Sequence, residues 1–162
     1  MKEKEQYMIS RLDILSDSLD KKMDILKQIQ TLCETQAVCI ELENPDWEKF
    51  DRAASEKEVL LDSLIRLDSG FTSMYRRLAE ELAESPKEYE TQILGLRQKI
   101  RRVMDIDLAI QTRERRNKNL VDDYVANLKN KRTQTPQASK TAYDRYKTMY
   151  GMGHRKPDDE NL

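Results

Sequence analysis

Apolar side chains recur with a seven-residue period along residues 8 to 40, where they fill two positions of a heptad. Two polar residues, Lys22 and Gln36, interrupt the pattern. This spacing is typical of a helix with one apolar seam, and it predicts a first helix from about residue 3 to residue 42. The seam consists of Met8, Leu12, Leu15, Leu19, Leu26, Ile29, Cys33 and Ile40.

A second helix is predicted to begin in the stretch "ENPDWEKF". Asn44 is the expected N-cap, and Pro45 suits the first turn because its missing N–H would have no partner there. Apolar residues at spacings of three and four then run from Trp47 to Leu82 and continue across Gly70. The pattern favours one helix over two separate ones, with a bend at Gly70 still possible.

The stretch "SPKE" marks the start of a third helix. Ser85 is the expected N-cap, Pro86 the first helical residue and Glu88 the second half of a capping box. The apolar seam runs from Ile93 to Leu128, so the helix should end near residue 131.

The middle of this third seam is polar. Asp107, Glu114 and Asn117 fall where the spacing calls for apolar side chains. We expect loose, hydrated packing around these three residues.

Three helices of about 40 residues, each roughly 60 Å long and joined by short turns, can only run antiparallel to their neighbours. The sequence therefore predicts an all-α fold, an elongated antiparallel three-helix bundle over residues 1–132 in which each seam packs against the other two. After Arg132 the stretch "TQTPQASK" stops the helix. Residues 133–162 are predicted to be a flexible tail, disordered or loosely helical.

Charge is distributed unevenly along the chain. The net charge is −1, with 36% charged residues and a mean hydropathy of −0.86. Residues 1–84 carry −7 and residues 85–132 carry +5, so the third helix should be attracted to the first two. We interpret "RQKIRR" and "RERRNK" as a solvated face answering the acidic helices. Binding of phosphate or nucleic acid by this basic helix is an alternative.

Catalytic and metal chemistry find little support in the residue types. Cys33 and Cys39 are six apart on a helix and cannot bridge each other, and there is one histidine, His154. We expect no cofactor, no metal and no enzymatic activity, because no phosphate loop or nucleophile motif accompanies the carboxylates. No apolar run approaches the roughly 20 residues of a membrane span, which predicts a cytoplasmic protein without membrane insertion.

The predicted tail carries aromatic residues at helical spacing. Tyr143, Tyr146 and Tyr150 lie three and four apart, and Met149 extends the same stripe. About 12 residues are too few to hold a helix alone in water, so we expect a segment near 139–151 that orders on a partner protein. The alternative is that this segment folds back on the bundle.

Two parts of the chain resemble a known family. The stretch "NPDWEKFDRAASEKEVLLDSLIRLDSGFTSMYRRL" looks like the second helix of bacterial flagellar export chaperones of the FlgN/FliT-like type. "ERRNKNLVDDYVANLKNKR" followed by "SKTAYDRYKTMYG" is similar to the end of their third helix and their tail. The resemblance spans most of residues 5 to 151.

The resemblance implies a non-enzymatic cytosolic chaperone of flagellar type III secretion. Such proteins bind C-terminal helices of hook-associated or related axial proteins, prevent premature assembly and deliver them to the export gate. The implied partner-binding residues are Leu120, Val121, Tyr124, Leu128, Tyr143, Tyr146, Met149 and Tyr150. A structural coiled-coil scaffold without a client is an alternative, and a homodimer is possible in either case.

Overall fold

The described part of the chain is an all-α bundle of three long helices, as the sequence predicts. The computed structural model describes residues 2–84 and 87–130. Its helices are α1 (Lys2–Glu41), α2 (Trp47–Glu84) and α3 (Glu90–Asn130). At 40, 38 and 41 residues they are each roughly 60 Å long. The predicted tail, residues 133–162, lies outside the described residues.

Helix α1 is the centre of the bundle. All eight apolar residues of its predicted seam are buried. Both α2 and α3 pack along α1, yet no Cα of α2 lies within 8 Å of a Cα of α3. The expectation that every seam packs against the other two therefore holds for α1, whereas α2 and α3 meet only through their side chains.

The direction of each helix follows from polar contacts at two levels of the bundle. At the first level, residues 20 and 22 of α1 bond to residue 99 of α3 and residue 68 of α2. At the second level, residue 33 of α1 contacts residue 57 of α2 and residue 114 of α3. Helix α2 therefore runs antiparallel to α1, and α3 runs parallel to it. The contacts are Lys22–Asp68 (2.7 Å), Asp20–Lys99 (2.8 Å), Cys33–Lys57 (3.7 Å) and Cys33–Glu114 (2.8 Å).

Apolar side chains form two clusters. The main core follows α1 from Met8 to Cys33 and includes Leu64, Phe71 and Val103 from the flanking helices. A separate group, here called the end cluster, lies where α1 turns into α2. Its buried members are Cys39, Ile40, Trp47, Phe50 and Val121. Within the described residues, no helix has a stretch both long and apolar enough to cross a membrane.

Helix α2 begins later than predicted. Its first residue is Trp47, and the N–H of Lys49 donates to the carboxylate of Asp46 at 3.1 Å. Asp46, rather than Asn44, is therefore the N-cap. The N–H of Asp46 also donates to the carbonyl of Cys39 at 3.1 Å, which closes the turn between α1 and α2.

Helix α3 also begins later than predicted. Residues 87–89 form a turn, and the helix starts at Glu90 with the N–H of Ile93 bonded to the carbonyl of Tyr89 at 2.9 Å. Glu88 thus precedes the helix and does not lie in its first turn. Ser85 and Pro86, the other predicted start residues, lie outside the described residues.

Helix α2 is continuous through Gly70, as the spacing of its apolar residues indicates. A Cβ added at Gly70 would meet nothing within 4 Å. The glycine therefore has no packing role, and its backbone freedom in the unfolded chain opposes folding.

Replacing Gly70 with alanine should stabilise the protein. We expect the free energy of unfolding to rise by about 0.5–1 kcal/mol, because alanine is the better helix former and nothing obstructs its methyl group. Urea denaturation followed by circular dichroism measures the change. A loss of stability would show that α2 is not a regular helix at this position.

Asp46→Ala should destabilise the protein by about 1 kcal/mol, because the N–H of Lys49 loses its acceptor. Asn44→Ala is the matched control: Asn44 makes no side-chain hydrogen bond to a described residue, and we expect no change there. Thermal unfolding of both variants compares them directly. A larger loss of stability in Asn44→Ala than in Asp46→Ala would show that Asn44 is the N-cap, as the sequence predicts.

Candidate functional site

Between α2 and α3 lies a small cavity of about 30 Å³, and this cavity with its borders is here called the α2–α3 groove. Its floor is α1 and its two walls are the facing flanks of α2 and α3. The described residues that line it are Ser18, Leu19 and Lys22 on the floor, Leu67, Asp68 and Phe71 on the α2 wall, and Ile100, Val103 and Met104 on the α3 wall.

Helical spacing extends the α2 wall beyond these lining residues. Leu61, Ile65, Asp68 and Thr72 follow one another at intervals of four, three and four, which places them in one stripe. Because Asp68 lines the groove, its neighbours on the stripe flank the groove too. Ile65 is 44% exposed there.

The α3 wall has the same spacing and a different chemistry. Arg97, Arg101, Met104 and Leu108 form one stripe at intervals of four, three and four. Met104 is 53% exposed and Leu108 is 64% exposed. The groove is therefore bordered by exposed apolar side chains on both sides, with arginines on the α3 side.

Two ion pairs near the groove use lysines. Lys22 bonds Asp68 at 2.7 Å and Lys99 bonds Asp20 at 2.8 Å. Arg97 and Arg101 make no ion pair with any described residue. Arg97 and Arg101 are exposed and do not pair with the acidic helices, whereas Lys99 of the same stretch does.

The end cluster includes three of the four predicted partner-binding residues of α3, all but Leu128. Val121 is 0% exposed and packs within that cluster. The ring of Tyr124 lies 5.1 Å from the ring of Trp47, between centroids, and Leu120 packs against the same cluster. Leu120, Tyr124 and Leu128 are half-buried. In the described bundle, therefore, Val121 is covered by the chain's own side chains and a partner could reach only the other three.

The remaining predicted partner-binding residues belong to the tail. Tyr143, Tyr146, Met149 and Tyr150 lie outside the described residues, so the structure brings none of them to the groove or to the end cluster.

A buried polar layer crosses the bundle between the main core and the end cluster. Lys57 is 0% exposed, and its Nζ lies 2.5 Å from Oε1 of Glu114. The Cys33 thiol donates to the same carboxylate oxygen at 2.8 Å and lies 3.7 Å from Lys57 Nζ. One residue from each helix thus meets at a single point.

Burial raises the pKa of the Cys33 thiol, and the Glu114 carboxylate raises it further while Lys57 opposes the shift. The thiol therefore stays protonated and acts as a hydrogen-bond donor. It favours the folded state fully below the ordinary pKa of a thiol, and this contribution declines as the pH rises above that value. Such a thiol is a poor nucleophile.

Two amides complete the buried polar layer. Asn117 donates to the carbonyl of Cys33 at 2.8 Å, and Gln36 donates to the carbonyl of Phe50 at 3.3 Å. Glu114 and Asn117 thus contact other helices, and the predicted loose, hydrated packing around them stays a prediction. Asp107 accepts a hydrogen bond from Gln111 at 3.1 Å within α3.

Lys57 is the residue of this layer that the sequence pattern missed. It lies between Ala53 and Leu60 at the spacing of the α2 seam, which is a position for a buried side chain. A lysine in the seam of one helix and a glutamate in the seam of another are the signal that could have found the pair.

Comparisons of this chain with family models, with curated proteins and with solved structures find no match. Within the described residues, no group of His, Cys, Asp and Glu is arranged to hold a metal ion.

Replacing Lys57 alone with methionine should lower the free energy of unfolding by about 3 kcal/mol, because the Glu114 carboxylate loses its cation in a poorly solvated place. The double variant Lys57→Met, Glu114→Met should return to within about 1 kcal/mol of the parent. Chemical denaturation of the two single variants and the double variant gives the coupling. Simple addition of the two single losses would show that the pair does not act as a unit.

Proposed function

We propose that this protein is an export chaperone that binds a helical segment of its client in the α2–α3 groove. The observation that carries the proposal is the separation of α2 and α3, together with the exposure of Ile65, Met104 and Leu108 on the two walls. An amphipathic helix laid between the walls would complete a four-helix arrangement and cover these side chains.

The groove suits temporary binding. Its floor is already closed at Leu19, and Phe71 on the α2 wall is also buried by the chain itself. A guest helix therefore gains contact with the exposed wall residues without opening the bundle. A modest apolar area of this kind supports an affinity that a competing partner can overcome, so release needs no nucleotide.

The client class comes from the sequence resemblance. We propose a cytosolic flagellar type III export chaperone whose clients are hook-associated or other axial proteins, and which passes them to an export gate component. A client's terminal helix has an apolar stripe that would otherwise pair with its assembly partners. Holding that stripe in the groove would keep the client unassembled until export.

The end cluster is the less suitable docking place. Tyr124 packs on Trp47, and Val121 is covered, so a guest would have to displace the chain's own side chains. Tyr124 and its half-buried neighbours, Leu120 and Leu128, can contribute to the edge of an interface. The tail segment 139–151 is proposed as a second contact, for the client or for the gate.

Met104→Glu with Leu108→Glu should weaken client binding at least tenfold, because the charges face the apolar stripe of the guest. Isothermal titration of the full chain with the C-terminal helical segment of a hook-associated protein measures this. The matched control is Val38→Glu with Val59→Glu, two apolar residues exposed on other faces of the bundle. Circular dichroism checks that both variants remain helical.

Equal losses in the groove pair and the control pair would remove the groove from the binding site. No binding by the parent chain, together with self-association in light scattering, would favour the coiled-coil scaffold over the chaperone. Retarded migration of an oligonucleotide at low salt would favour nucleic-acid binding by α3.

A further inference from the structure

We infer that the guest of the α2–α3 groove is an acidic amphipathic helix whose carboxylates border its apolar stripe on the side that faces α3. This inference rests on the proposed function, since it specifies the chemistry of the helix that the groove receives. It comes from the charges of the two walls.

Two arginines that form no ion pair in the described bundle lie beside the α3 wall, on the stripe of Met104. Arg97 and Arg101 are one helical turn apart, about 6 Å along the axis, and continue into Met104 and Leu108 on the same stripe. Both arginines are exposed, and neither pairs with a described carboxylate. An arginine fork can hold a carboxylate through two parallel hydrogen bonds, so each is suited to an acidic residue of a partner.

The α2 wall offers a guest helix no corresponding charge to pair with. Its charged member, Asp68, is bonded to Lys22 on the floor at 2.7 Å. The α3 side therefore carries two arginines and one carboxylate, Asp107, which accepts a hydrogen bond from Gln111, while the charge of Asp68 on the α2 wall is neutralised. A guest helix in the groove binds most favourably when its carboxylates face α3. This preference fixes the rotation of the guest helix about its own axis.

The exposed apolar residues of the two walls favour a polypeptide helix over other anionic partners. Ile65, Met104 and Leu108 would lie against phosphates or sugars without gain if a nucleic acid bound here. The aromatic residue that lines the groove, Phe71, is buried and offers no open face for base stacking. An acidic amphipathic helix satisfies both the arginines and the apolar stripe.

Two synthetic helical peptides of about 18 residues, long enough to span the walls from Arg97 to Leu108, test the inference. They share one apolar stripe and differ only in its flank, which carries glutamates in one peptide and lysines in the other. Fluorescence anisotropy with the full chain should show at least tenfold tighter binding of the glutamate peptide. This advantage should shrink when the salt rises from about 0.05 M to about 0.5 M.

Charge reversal tests whether the arginines beside the α3 wall cause the preference for the glutamate peptide. Arg97→Glu with Arg101→Glu should abolish the preference or turn it toward the lysine peptide. The control, Arg102→Glu with Arg116→Glu, makes the same change in net charge at exposed arginines on another flank of α3 and should keep the preference.

The possible failures are distinguishable. Equal binding of both peptides, or equal effects of the two arginine pairs, would overturn the acidic-guest inference while leaving a groove for helices. Failure of both peptides and of the hook-associated segment to bind would overturn the proposed function as well. Tighter binding of an oligonucleotide than of the glutamate peptide would overturn the inference in favour of a phosphate-binding surface.

Discussion

The structure depends on the apolar seam of α1, against which both α2 and α3 pack. Each buried leucine of α1 contributes about 2 kcal/mol by leaving water, and the seam from Met8 to Ile40 is fully buried. Helices α2 and α3 both use this seam and do not come close to each other. Because α1 is the shared support, the two flanking helices can leave a groove between them without exposing the centre of the core.

The buried polar layer adds specificity to this apolar support. An apolar seam with regular spacing tolerates a slip of one heptad, whereas the contact of Lys57 with Glu114 and Cys33 is satisfied in one register only. Two buried amide oxygens of the layer, on Gln36 and Asn117, accept no hydrogen bond from the described residues. The layer therefore adds little to the free energy of folding, and its main effect is to fix the register of the helices. It therefore fixes how the walls of the groove face each other.

The spacing of apolar residues was sufficient to predict the three helices and the burial of the whole α1 seam. The helix starts were harder, because Asn44 and Asp46 are both good caps and their choice depends on how the turn closes on Cys39. The groove could not be predicted, since the distance between α2 and α3 depends on the side chains that meet between them. Long contacts such as Lys57–Glu114 and Trp47–Tyr124 join distant parts of the chain, and a one-helix pattern carries no information about them.

The same arginines that suit an acidic guest also argue against pairing of two copies through the groove. In a symmetric dimer the α3 walls of both chains would share one interface, so four arginines at positions 97 and 101 would enter it together. Asp68 is engaged with Lys22 in each copy and could compensate them only by giving up that bond. Like charges brought into one interface cost several kcal/mol, which offsets the gain from covering Met104 and Leu108. The charges that would select an acidic guest would therefore also oppose self-association through the groove.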